Sequence, residues 1–168
     1  MKFSKGFTLI ELLVVIGILS ILVVGLIAAL NPAEQLKRAG DARRKSNVAG
    51  LGKALEEYYI TNGSYPPANS SWMQTLVTGG QLKSLTPQVS GTANCWLDTS
   101  RNSVNNYCYY FFGSNVVVWT NAESRDEISG CGSGSHNPPD TYLAYDSSVG
   151  RVCLKCNWTP GGAGTCFD

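Results

Sequence analysis

Few residues in this 168-residue sequence have the types and spacing to do chemistry. They are six cysteines (Cys95, Cys108, Cys131, Cys153, Cys156 and Cys166), a single histidine, His136, three acids in one loop (Glu123, Asp126 and Glu127), and one carboxylate, Glu11, inside the apolar run FTLIELLVVIGIL. Six thiols fit an oxidising compartment and a disulfide framework, whose connectivity a sequence leaves open. Local ring closure favours Cys95 with Cys108 and Cys156 with Cys166, leaving Cys131 with Cys153. The pair Cys153-x-x-Cys156 also has zinc-knuckle spacing, with Cys131, Cys166 or His136 as further ligands, but no second C-x-x-C answers it. Glu123, Asp126 and Glu127, with Asp140 and Asp146 later, offer oxygen ligands for calcium without an EF-hand pattern; a solvated polar loop explains them more simply. No cofactor is expected.

Catalysis is not expected either. Ser135-His136 has no orienting acid at a diagnostic spacing, and TPGGAGT near the end lacks the lysine and the strand-to-helix context of a phosphate loop. No βαβ pattern surrounds the C-x-x-C pair, which argues against thiol redox work. Asn62-Gly63-Ser64, Asn69-Ser70-Ser71 and Asn157-Trp158-Thr159 match the N-glycosylation sequon, a weak signal in a bacterial cell.

The elements that must position these residues divide the chain unevenly. The net charge of +1 hides the fact that residues 7–30 hold one charge in 24 residues. As a helix they would span about 36 Å, enough for a hydrocarbon core of about 30 Å. Asn31-Pro32 follows, and Pro32 marks a kink or a restart. Beyond it Leu36, Ala39, Val48, Leu51, Leu55, Tyr58 and Tyr59 recur at helical spacing among charged residues, predicting an amphipathic helix over 31–62. Asn62-Gly63 supplies its left-handed cap. Residues 7–62 thus read as one helix of about 84 Å, softened near Gly25 and Pro32.

Past Pro67 the sequence breaks into short segments. SSWMQTLVTGGQLKSL predicts a short helix or turn, NNYCYYFFGSNVVVWTNAES a hairpin, and DTYLAYDSSVGRVCLKC a second hairpin turning near Asp146 to Gly150. The fold class is therefore α+β: a long N-terminal helix, half membrane-spanning and half amphipathic, packed on a small antiparallel sheet with disulfide-stabilised loops. Residues 31–62 carry six basic and four acidic side chains, and 63–168 five basic and seven acidic. A basic stem and a mildly acidic head would attract each other between subunits at short range. Trp72, Trp96, Trp119 and Trp158 are expected to fill the core and sheet.

The leader MKFSKG, the junction Gly6-Phe7 and the run FTLIELLVVIGIL closely resemble the class III signal of type IV pilins and type II secretion pseudopilins. The likeness continues more loosely through KALEEYYITNGSYPP, which resembles the end of a pilin stem. This resemblance implies four parts: a leader, 1–6; a transmembrane and filament-core helix, 7–30; a stem helix, 31–62; and a globular head, 63–168. It also implies that Gly6 precedes the cut made by a prepilin peptidase, that Phe7 is the new and methylated N-terminus, and that Glu11 serves assembly together with Phe7. The implied protein is a filament subunit, with an inner-membrane assembly platform and membrane lipid as partners before polymerisation. Its leader would be cytoplasmic and its head extracytoplasmic, then part of an extracellular filament. That topology settles a conflict, because Lys37, Arg38, Arg43, Arg44 and Lys45 after the span would by themselves favour a cytoplasmic C-terminal part.

Physical chemistry gives each role a reason. Gly6 lets catalytic groups approach an extended backbone. Cutting after it frees a cationic amine one helical turn from Glu11, whose ionised carboxylate costs several kcal/mol in hydrocarbon unless partnered. Gly17, Ser20, Gly25, Ala28 and Ala29 would permit close helix approach. Two other readings stand beside the pilin: a minor pseudopilin of a secretion or DNA-uptake system, and a monomeric membrane-anchored extracellular binding module. Nucleic acid as a partner has no supporting residue pattern.

Overall fold

The structure, a computed structural model, describes residues 7–90, 95, 103–131 and 141–156. The chain forms two compact units, Met1–Leu36 and Lys37–Asp168, taken in turn.

In the first unit, α1 spans Leu9–Leu30. Its described side chains are apolar on every side and exposed, from Leu9 at 83% to Ile27 at 56%, and Leu9–Ile27 is long and apolar enough to cross a membrane. Such a surface has no amphipathic stripe, which is the pattern of a helix surrounded by lipid or by other apolar helices. Asn31 ends α1 in the left-handed conformation, φ 42°. Its carbonyl then accepts from the Glu34 and Gln35 amides, so it also opens α2, Pro32–Asn62.

The single helix expected over 7–62 is therefore two. Of the two readings open for Pro32, the structure has the restart: proline stands first in α2, where its missing N–H costs nothing, and it disfavours helical geometry at the residue before it. Asparagine tolerates the resulting left-handed state better than most residues. At Gly25 the helix continues without interruption.

In the second unit, α2 from Lys37 onward presents Asp41, Arg44, Val48, Leu51, Gly52 and Leu55 as one buried stripe. It packs on a five-stranded antiparallel meander: β1 (Ser103–Val104), β2 (Tyr107–Phe112), β3 (Asn115–Asn121), β4 (Thr141–Asp146) and β5 (Arg151–Cys156), ordered as in sequence. The register pairs Tyr109 with Val118 and Val118 with Tyr145. Alternation along each strand then divides the side chains between two faces. Tyr109, Val116, Val118 and Tyr145 join Val48, Leu51 and Leu55 of α2 and Trp72, Met73 and Leu76 of α3 (Trp72–Thr78) in one core. On the other face Cys108, Val117, Trp119, Tyr142 and Ala144 form a second buried cluster with Cys95. Burial on both faces is why β3 reads NVVVWTN, a nearly continuous apolar run.

At Gly52 α2 comes close against the sheet, and an added Cβ would overlap the ring of Tyr145. The Tyr145 hydroxyl donates to Glu56 Oε1 at 2.8 Å, one turn further along. At the end of α2, Gly63 has φ 72° and donates to the Tyr59 carbonyl at 2.8 Å, giving the left-handed cap the sequence predicts. Both hairpins form where expected. A short helix, α4 (Arg125–Gly130), was not expected; Ser124 caps it, accepting from the Glu127 amide.

Candidate functional site

At the start of α1 the site residues are Phe7 and Glu11; Gly6 lies outside the described residues. Thr8 has extended backbone and is the N-cap. Its hydroxyl accepts from the Glu11 amide at 3.3 Å, while Glu11 Oε2 accepts from the Thr8 amide at 2.9 Å and the Thr8 hydroxyl at 2.8 Å. This reciprocal capping box satisfies donors that the first turn of a helix leaves open. Glu11 is thus partnered within its own chain by Thr8, a capping box that the sequence reading missed. The signal was present in Thr8-Leu9-Ile10-Glu11, a T-x-x-E preceding an apolar run. The box draws the carboxylate toward the helix start, the end at which a cut after Gly6 would free the Phe7 amine. Nothing lies within 4 Å of a Cβ built at Gly17 or Gly25, and the Ser20 hydroxyl donates to the Ile16 carbonyl at 2.7 Å. The small positions of α1 are therefore open surface. The side chains of Ala28 and Ala29 lie outside the described residues.

In the second unit, five charged residues meet along one seam between α2 and the head: Asp41, Arg44, Lys45, Glu123 and Glu127. Asp41 is 1% exposed and accepts from the Glu123 amide at 3.1 Å, the Ser124 amide at 2.7 Å and Arg44 at 2.8 Å. Arg44, also 1% exposed, reaches Glu123 Oε1 at 2.6 Å and both the hydroxyl and the carbonyl of Ser90, at 2.9 and 3.0 Å. Beside them Lys45 pairs with Glu127 at 2.5 Å. The charge surpluses of stem and head suggest attraction between subunits; the ion pairs seen here lie within one chain. Two of the three weak calcium candidates, Glu123 and Glu127, are bound by stem cations in this seam; the Asp126 side chain lies outside the described residues. Arg44 and Lys45, two of the five cations that confuse the topology, are neutralised there.

A second buried pair crosses the last hairpin, where Lys155 Nζ meets Asp146 Oδ2 at 2.7 Å. Burial opposes ionisation of Asp146, but hydrogen bonds from Lys155 and Ser148 outweigh it and hold the carboxyl below its ordinary value. Burial raises the Tyr109 and Tyr145 phenols well above theirs, Glu56 adding to the effect at Tyr145.

The cysteines meet one expected pairing and correct two. Cys95 bonds to Cys108, as local ring closure predicts. Cys131, however, bonds to Cys156, which overturns both Cys156 with Cys166 and Cys131 with Cys153. Ring size was the wrong criterion: Cys156 pairs with Thr141 at the strand end, and the side-chain cluster of Ala122, Leu143 and Leu154 gathers Cys131 and Cys156 together. Cys153 is disulfide-bonded as well, and Cys166 and His136 lie outside the described residues. With Cys131, Cys153 and Cys156 all oxidised, those thiols cannot serve a zinc knuckle.

Residues 1–27 match the family model of the prokaryotic N-terminal methylation motif. No solved structure matches the chain significantly. Over 119 residues the sequence is 40% identical to the type IV wide pilus major component PilA4 of Thermus thermophilus, a match covering 71% of this chain and 81% of that protein. With the methylation motif at its start, an apolar helix capped by Thr8 and Glu11, and a disulfide-bonded antiparallel head, this chain belongs to the type IV pilin family.

Proposed function

We propose that this chain is the structural subunit of a type IV pilus-like filament. One observation carries the reading: α1 is apolar on all sides, exposed at its described side chains, and interrupted by one carboxylate at its start. Lipid covers such a surface before assembly, and neighbouring copies of α1 cover it in a filament. The similarity to a pilus major component supports the same conclusion.

In this reading the precursor sits in the inner membrane with residues 1–6 cytoplasmic and the head outside. Prepilin peptidase cuts between Gly6 and Phe7 and methylates the Phe7 amine, and the assembly platform then draws subunits into a helical polymer. Apolar contacts distinguish poorly between protein and lipid, so a polar pair is what gives subunit association its preference and its register. Glu11 supplies the anion and the Phe7 amine of a neighbouring subunit the cation. Because one oxygen of Glu11 takes both Thr8 bonds, the other can accept from the amine while the helix stays capped.

Intact mass and N-terminal peptide mass spectrometry of chain recovered from membranes and from filaments tests this. The expected product starts at a methylated Phe7. Abundant filament protein that retains Met1 would overturn the reading and favour the membrane-anchored binding module.

A further inference from the structure

Asn62-Gly63 is the one Asn-Gly dipeptide in the sequence, and the filament reading makes no use of it. Asparagine followed by glycine is prone to a self-reaction, because glycine has no Cβ to keep its backbone nitrogen from the preceding side chain. The Gly63 nitrogen, losing its proton, bonds to Asn62 Cγ; the Cγ–Nδ2 bond breaks and ammonia leaves. Water then opens the resulting succinimide to aspartate or isoaspartate, with no oxidant or other co-reactant.

Both residues are exposed, yet both reacting groups are held. The Gly63 N–H is donated to the Tyr59 carbonyl at 2.8 Å, and the Asn62 side-chain amide is donated back along the helix to the Tyr58 carbonyl at 2.9 Å. Attack requires both bonds to open together. The turn is anchored against that opening by Tyr65, whose ring lies 4.6 Å from the ring of Tyr59 and whose hydroxyl donates to the Ser114 carbonyl at 3.2 Å. Tyr58 and Tyr65 also pack against the main core.

We propose that Asn62 is a site of spontaneous deamidation gated by the α2 terminus, slow while the cap is closed and fast once it opens. The product would not restore the cap. A new carboxylate would stand at the negative end of the helix dipole, one to two turns from Glu57 and Glu56. Isoaspartate would further insert a methylene into the backbone just where Gly63 must reach Tyr59. A deamidated subunit would therefore carry a permanently loosened corner between stem and head.

The test follows conversion at Asn62 by peptide mass mapping of the full-length chain in detergent at mildly alkaline pH. Wild type kept folded is compared with wild type unfolded in urea with reductant, and with folded Tyr65→Ala and Tyr65→Phe; Asn62→Gln checks that the signal arises at this site. Conversion is expected to be about tenfold slower in the folded chain than in the unfolded one, the factor given by about 1.4 kcal/mol of local stability. Tyr65→Ala should fall between them and Tyr65→Phe, which keeps the ring, nearer the folded wild type. Equal rates in the folded and unfolded wild-type chain would overturn the gate, and absence of conversion in the unfolded chain would overturn the site. Since the readout is chemical and needs no filament, failure of the filament reading would leave it untouched.

Discussion

Two carboxylates, Glu11 in α1 and Asp41 in α2, show how differently the two units treat a costly charge. Asp41 is buried and receives two backbone amides and a guanidinium, every donor from its own folded unit. Glu11 lies on an exposed helix and receives only the amide and hydroxyl of Thr8, three residues away. The first charge is complete within its unit; the second is kept from being an orphan by Thr8, with one carboxylate oxygen taking both bonds. A buried charge whose donors all come from its own unit asks for no further partner, whereas an apolar surface with one half-used carboxylate is suited to association.

The largest expected effect comes from breaking the Glu11 side of this contrast. Glu11→Ala should insert in the membrane and fold its head normally, yet lose filaments altogether, as counted in sheared surface fractions and by electron microscopy. Glu11→Gln retains a cap acceptor for the Thr8 donors but carries no charge. If the charge and not the cap drives assembly, Gln should be nearly as defective as Ala. Normal filaments from either variant would show that the carboxylate does not drive assembly.

Next in size is the Asp41 side. Arg44→Met should leave Asp41 and Glu123 without their buried cation and destabilise the head by about 3–5 kcal/mol, the usual cost of removing one partner of a buried pair. Thermal or denaturant unfolding of the second unit reads this directly. The double change Asp41→Asn with Arg44→Met should recover part of the loss, since no buried charge is then left facing a gap at that point. A loss below about 1 kcal/mol, the range of exposed pairs, would show that the seam tolerates solvent.

These two regions were also unequally legible. Everything that distinguishes α1 is a matter of composition and neighbours a few residues apart, so its length, its apolarity and the oddity of Glu11 could be read directly. Even its capping box was written in Thr8 and Glu11, as α4 was in Ser124 and Glu127. The seam was not legible. Charge counts indicated opposite surpluses in stem and head, but whether Arg44 meets Glu123 of its own chain depends on contacts 79 residues apart in the sequence. Disulfide pairing failed for the same reason. Cys95 and Cys108 are joined across a short connection that local reasoning reaches, whereas Cys131 and Cys156 are joined by strand register and core packing.

A smaller effect tests how tightly α2 sits on the sheet. Gly52→Ala would place a methyl group against the Tyr145 ring and should cost about 1–3 kcal/mol by overpacking, despite the gain of about 1 kcal/mol that alanine brings to a helix interior. Gly50→Ala has open space around it and should be neutral or stabilising. The pair of variants separates close approach from helix propensity, and a stabilised Gly52→Ala would mean that the ring moves aside freely.

The smallest effect concerns pH, and it reads the ionised groups buried in the head. Lys155 and Ser148 depress Asp146 below its ordinary carboxyl value in the folded state, so the folded chain binds that proton less readily than the unfolded chain does. The resulting stabilisation is complete at neutral pH and is lost as pH falls from about 4, the unfolded value, through the lower folded one. Asp146→Asn should therefore flatten the acid limb of the unfolding curve in that window while lowering stability at pH 7, because Lys155 is then buried without its counter-charge. The raised phenols of Tyr109 and Tyr145 act on the opposite limb. They stabilise the head fully below about pH 10, and this contribution declines as unfolded tyrosine begins to ionise above it. Tyr145→Phe should lessen the alkaline decline, losing the hydroxyl bond to Glu56 but also the ionisation that favours unfolding. An acid limb unchanged by Asp146→Asn would place the head's acid sensitivity elsewhere.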